Sequence, residues 1–158
     1  MNDPTVRTAI LVLLGDLEQC WRTLDFEWLR RLWDSTRDPV YQAEEAPSAC
    51  LDWPTLHRYW ETTGRAIERM GMRITSDVTL HELAPGLVTA VYGMHWDALI
   101  RGDQKPVGGD NRVFASFRLT DAGWRFAQYV ESPLAPIMYL KKLYQDSVTP
   151  GFVAPDSP

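Results

Sequence analysis

Two adjacent carboxylates, Glu44 and Glu45, sit in the stretch DPVYQAEEAPSACLDWPTLHRYW, Asp38 to Trp60, among many aromatic rings. A carboxylate at the mouth of an apolar pocket is costly to ionise. Its pKa climbs toward neutrality and it becomes a usable general base. The bland reading is a solvated strand end beside an ordinary core helix. Neighbours on a strand face opposite ways, so one of the pair points inward and the other outward.

Other side chains join them as candidates. Tyr59 and Trp60 lie about 100° apart on a helix, so one belongs to the core and the other lines a cavity. Gln128 interrupts an apolar strand face between Phe126 and Val130. A buried amide needs partners, and a ligand, Glu44 or a backbone group would each serve. Tyr92 and Trp96 share a strand face with Met94, which either lines the pocket or forms a subunit face. His95 either touches ligand or is a structural histidine. His57 and His81 read as exposed. The two cysteines, Cys20 and Cys50, and three scattered histidines give neither a disulfide framework nor a zinc spacing. The double glycine in GDQKPVGGDN precedes no helix pattern and cradles no phosphate; it reads as a long hairpin connection.

The elements that must position these groups are legible from period and caps. Asp3-Pro4 starts a helix whose apolar positions, from Val6 through Ile10, Leu14 and Leu17 to Trp21, recur at helical spacing to about Thr23. A break at Leu24-Asp25 leads into a second helix, FEWLRRLWDS. PVYQAEE is a short strand, Pro39 to Glu45. Asp52 caps a third helix with Leu56, Trp60, Thr63, Ile67 and Met70 on one stripe and Gly71 as its end. Gly64 inside it, at a cost of about 1 kcal/mol of helix propensity relative to Ala, either allows a close backbone approach or is a tolerated defect.

From Met72 the period changes to two. MRITSDVTLHEL is a strand; Leu87 to Arg101 is a long strand with an expected bulge at Gly93. Arg112–Thr120 and Trp124–Ser132 form a hairpin. Strict alternation from a Leu119–Trp124 pair puts Phe126, Gln128 and Val130 on the inner face and Tyr129 and Glu131 on the outer one. IMYLKKLYQDS reads as a terminal helix, and the Pro-rich end as a loose tail. The expected division is one domain over 1–147 and a tail over 148–158. Helices followed by a run of strands mean an α+β fold, with helices packed on one face of an antiparallel sheet.

Composition narrows the partners. The net charge of −5 opposes a nucleic-acid face and an anionic membrane surface. No apolar run approaches the roughly 18–20 residues of a membrane span. Neither a signal-peptide pattern nor a disulfide framework stands out, so the expected compartment is the cytoplasm. Aromatic residues make up 11% of the chain, enough for a thick core, a ligand cavity or a buried subunit face.

Three stretches, LWDSTRDPVYQAEE, DWPTLHRYW and TDAGWRFAQYVES, together with the order α-α-β-α-β-β-β-β, resemble the nuclear-transport-factor-2-like superfamily. The likeness runs over about Thr5 to Ser132 and includes SnoaL-like polyketide cyclases, ketosteroid isomerases and scytalone dehydratase. It implies a curved sheet wrapped around the helices as a cone, with the pocket inside. It also implies a homodimer through the outer sheet face, in keeping with large apolar groups on both faces of the last strands, a pattern that a terminal helix folded back over that face would explain as well. In isomerase-type members a carboxylate at the end of the first short strand is the base, and Glu44 matches it. The oxyanion Tyr and Asp of those isomerases have no counterpart here, and His95 with Asp97 is only a loose echo of the cyclases' His–Asp pair. The resemblance therefore implies a protein that binds a small hydrophobic molecule and does cofactor-free acid–base chemistry of the isomerase, cyclase, dehydratase or hydrolase type. Glu44 would be the base, with Tyr59, Trp60, Tyr92, His95, Trp96, Phe126 and Gln128 at the ligand and no metal. The alternative is a non-catalytic binding or assembly module of the same fold.

Overall fold

Three helices start on an aspartate. Asp3 accepts the Thr5 and Val6 amides at 2.8 and 3.4 Å at the head of α1 (Pro4–Thr23). Asp25 accepts the Trp28 amide at 2.8 Å before α2 (Phe26–Arg31). Asp52 accepts the Thr55 amide at 2.7 Å before α3 (Trp53–Ala66). α1 stops at Leu24, which takes a left-handed φ of 54° and donates its N–H back to the Trp21 carbonyl. The structure, a computed structural model, describes residues 3–134 and 144–149. The expected terminal helix and tail fall largely outside the described residues.

α3 is shorter than its apolar stripe suggests. It ends at Ala66, and β2 (Ile67–Ile74) follows with no linker. Ile67 is extended, at φ −89° and ψ 130°, and pairs with Ile100, while Met70 pairs with Ala98. Arg101 makes the junction possible. Its N–H donates to the Ala66 carbonyl at 2.7 Å and its guanidinium to the Arg65 and Ile67 carbonyls at 3.1 and 3.3 Å. The helix's last acceptors are thereby satisfied, and sheet pairing overrides helical spacing.

The remaining strands are β1 (Val40–Gln42), β3 (Thr79–Ala84), β4 (Leu87–Ile100), β5 (Val107–Thr120) and β6 (Gly123–Pro133). The sheet order is β1-β6-β5-β4-β2, with β3 sharing the β2 edge of β4. All pairs are antiparallel except β1–β6, which is parallel, so the sheet is mixed rather than purely antiparallel. The strand expected from Met72 onward is two strands, β2 and β3, parted at 75–78. β4 passes from one to the other at Gly93. The bulge expected there is absent, because β4–β5 pairing runs unbroken from Leu87 to Ala98. Gly93 is needed for room instead: a Cβ there would lie 2.9 Å from the Thr75 hydroxyl oxygen, and Ser76 accepts the Gly93 N–H at 2.7 Å. The double glycine belongs to β5, not to a loop.

A bulge does occur in the last hairpin. Phe117 pairs with Phe126 and Ser116 with Gln128, so Ala127 is an extra residue on β6. Beyond it the inward face changes phase. Tyr129 is buried at 2% exposure, whereas Gln128 is exposed. The core lies between α1, α3 and the inner sheet face, with Ile10, Leu14, Leu56, Phe117 and Phe126 wholly buried. Asp34 ties the end of α2 to the sheet. It accepts from Thr36 and from Arg118, the latter at 2.5 Å. Burial alone would raise its carboxyl, but these hydrogen bonds outweigh that and hold it below the usual range. Of the two readings of Gly64 the structure shows a close approach, made by a side chain: a Cβ there would fall 2.5 Å from the Phe26 ring.

Candidate functional site: a carboxylate-lined cavity

The cone leaves a cavity of about 390 Å³ between the helices and the inner sheet face. Its walls are mostly apolar. Trp21 comes from α1, Tyr59 and Thr63 from α3, and Tyr41 from β1. β2 supplies Met70 and Met72, and β4 supplies Met94 and Trp96. Alternation on β4 sets which side chains enter: the even-numbered residues from Met94 to Ile100 face in. Trp96 lies against Gly109 of β5, with three indole atoms 3.4 Å from where a Cβ would stand. A Cβ alone would just touch the ring, and anything larger would meet it.

Three carboxylates share the cavity: Glu44 and Glu45 just after β1, and Glu131 near the end of β6. Glu131 accepts the Glu44 backbone N–H at 3.3 Å and the Asn111 side-chain amide at 3.2 Å. Burial pushes its carboxyl up to about 7, and the charges of Glu45 and Glu44 add to the rise. Asn111 is wholly buried and its Oδ1 has no partner. The buried hydroxyls of Tyr129 and Tyr92 likewise meet no partner of good geometry. Glu44 is half-buried. Burial and the neighbouring Glu45 raise its carboxyl, while the Trp96 and Asn111 side chains pull the other way. Glu45 is exposed at the rim and accepts the Tyr59 hydroxyl at 2.8 Å. Among the described residues, those lining the cavity include no Lys, Arg or His.

The sequence candidates divide on this geometry. Glu44, Tyr59 and Trp96 line the cavity. Trp60 does not; it is 2% exposed and packs between Trp33 and Tyr41 in the core. Phe126 is likewise core, stacked on Trp33 at 5.5 Å. Tyr92 is buried behind the wall, its hydroxyl on the Glu131 side. His95 is odd-numbered on β4 and faces the other way, bridging Asp110 at 2.7 Å and Asp97 at 3.2 Å. Gln128 is on the outer face, where it accepts from Ser116 at 3.2 Å. Glu131 is the residue that sequence reasoning missed. Strict alternation sends it outward, and Ala127, the bulged residue, carries no glycine or proline to warn of the phase change.

These elements define a class: an α+β cone with a curved, unclosed mixed sheet around an internal pocket. It is the nuclear-transport-factor-2-like fold. A nuclear-transport-factor-2-like superfamily protein from Salmonella enterica serovar Typhimurium superposes with a TM-score of 0.75 at 15% identity, over 84% of this chain and 93% of that one. A protein provisionally named a scytalone dehydratase, from Novosphingobium aromaticivorans, gives a TM-score of 0.73 at 10% identity, over 82% and 84%. A hexachlorocyclohexane dehydrochlorinase gives a TM-score of 0.69 at 13% identity, over 83% and 90%. No protein-family model and no curated protein matches the chain. At such identities the likeness is one of fold. No helix among the described residues is long and apolar enough to cross a membrane.

Proposed function

We propose that this protein is a cofactor-free acid–base enzyme acting on a small hydrophobic molecule held in the cone. The observation that carries the reading is a pair of carboxylates, Glu44 and Glu131, on one wall of an apolar cavity but in different settings. Pairs whose surroundings push their pKa values apart can divide the acid and base roles. Burial raises the Glu44 carboxyl too, which strengthens it as a base, while the Trp96 and Asn111 side chains support its charged form; it takes a proton from carbon. Glu131, burdened by burial and by its neighbours' charges, holds a proton near neutral pH and gives it up. In an elimination, Glu44 removes the C–H proton, the carbon–oxygen bond breaks, and the Glu131 proton leaves with the hydroxyl as water. Proton exchange from Glu44 to Glu131 restores the pair. Tyr59, fixed by its hydrogen bond to Glu45, orients the substrate. The fold's appearance in a dehydrochlorinase fits such eliminations, as an analogy only. The same reading takes the protein as cytoplasmic, with Cys20 and Cys50 free, and as a homodimer through its outer sheet face.

The test is proton exchange in D2O, followed by NMR on hydrophobic β-hydroxy and β,γ-unsaturated ketones, each with and without an amino group. Wild type should exchange the acidic C–H of at least one. Glu44→Gln should abolish exchange, and Glu131→Gln should slow turnover by about 10²-fold. Exchange that survives both substitutions would sink the reading. A wild type that binds these ketones without exchanging them would instead be a binding module.

A further inference from the structure

The charge pattern of the cavity selects among hydrophobic molecules. We infer that the cavity takes a hydrophobic amine as its cation, with the ammonium group among Glu44, Glu45 and Glu131 and the apolar body against Trp21, Tyr59 and Trp96. This rests on the reading of the cavity as a small-molecule site and names its ligand class. Three carboxylates converge on a space whose described lining has no cationic side chain. Arg101, which follows the lining residue Ile100, is turned onto the Arg65 and Ile67 carbonyls and leaves the acids uncompensated. An anionic ligand would add repulsion to a site that already resists its own charges. A cation removes that burden, and aromatic faces beside it add attraction.

The acids do not close on a point. Among the described residues, no group of three or more acidic, histidine or cysteine side chains could hold a metal ion. A wider spacing suits a larger, softer cation. Three methionines, Met70, Met72 and Met94, give a polarisable wall for its apolar part. Buried Asn111 holds the Glu131 carboxylate with its side-chain amide at 3.2 Å, and the remaining oxygens of the three acids are acceptors. An ammonium group brings donors and no acceptor.

The experiment is calorimetry with three matched probes: 4-phenylbutylamine, 4-phenylbutanol and 4-phenylbutyrate. The amine should bind about tenfold or more tightly than the alcohol, and the carboxylate weakest of all. Glu131→Gln should cost the amine about tenfold in affinity and leave the alcohol unchanged. The permanently charged trimethyl(4-phenylbutyl)ammonium should bind more tightly as pH rises through about 7, because Glu131 then loses its proton. The groups facing Glu131 reinforce that direction. They are Glu44 and Glu45 after β1, Tyr41 of β1, Tyr59 of α3, Tyr92 of β4, Asn111 of β5 and Tyr129 of β6, and none is basic. An alcohol or carboxylate that binds as well as the amine overturns the inference but leaves the cavity a ligand site. No binding by any probe overturns both.

Discussion

Glu131 puts a pH dependence into the stability of the fold. Its carboxyl titrates near the ordinary glutamate value in the unfolded chain, and burial raises it to about 7 in the folded one. The folded state therefore binds the proton more tightly. The advantage is complete below the unfolded value and is lost as pH rises from there through about 7. Glu131→Gln keeps the shape and removes the ionisation. The variant should be more stable than wild type at pH 8, on the order of 2 kcal/mol, and no more stable at pH 4. Urea unfolding at the two pH values measures this. An equal effect at both would mean that Glu131 is not held against its charge. Tyr129 and Tyr92 share the surroundings, since burial pushes both phenols well above their usual range. They stay neutral, and their hydroxyls can serve only as hydrogen-bonding groups behind the cavity wall.

At the scale of elements, the cavity depends on backbone as much as on side chains. Trp96 reaches Glu44 across Gly109, a residue that reads in the sequence as part of a loop. Gly109→Val improves strand propensity but places branched carbons where the indole lies. The expected result is a protein of undiminished stability whose affinity for 4-phenylbutylamine falls about tenfold. Thermal melts and calorimetry separate the two effects, and unchanged affinity would show that Trp96 does not need its present position. The three aspartate caps, the break at Leu24, the long β4 and the closing hairpin were all readable, because each rests on local chemistry. The end of α3 at Ala66 was not, because Ile67 and Met70 keep helical spacing and only pairing with Ile100 and Ala98 pulls them into a strand. Glu44, Tyr59 and Trp96 were found by type and period. Trp60, Phe126, His95 and Gln128 went astray for one of two reasons: burial hides whether a ring is core or lining, or a strand's phase depends on its neighbours.

For the whole molecule the question is what each face of the sheet meets. Val91, Phe114 and Val130 are register partners on three adjacent strands, and Val91 and Phe114 are 43% and 44% exposed. We propose that a second copy covers this row, as apolar groups on both faces of a sheet suggest. Light scattering should give twice the chain mass, and Phe114→Arg should return the monomer with its cavity intact. A wild-type monomer at high concentration would refute the dimer. Inside and outside meet in one residue. Because Ala127 is bulged out of the β5–β6 ladder, Tyr129 turns into the core and Glu131 into the pocket, while Gln128 and Val130 face the outer surface. Loss of that residue would leave both sets in place, since plain alternation from Phe126 through Gln128 to Glu131 gives the same faces. Pairing Ala127 with Ser116, with no bulge, would exchange them. Such a flattened hairpin would trade the acidic β6 side of the pocket for a neutral one without changing any letter of the sequence. Relatives of this chain are therefore best compared by aligning pocket walls in space, since a gap placed one position away equates the lining of one protein with the skin of another.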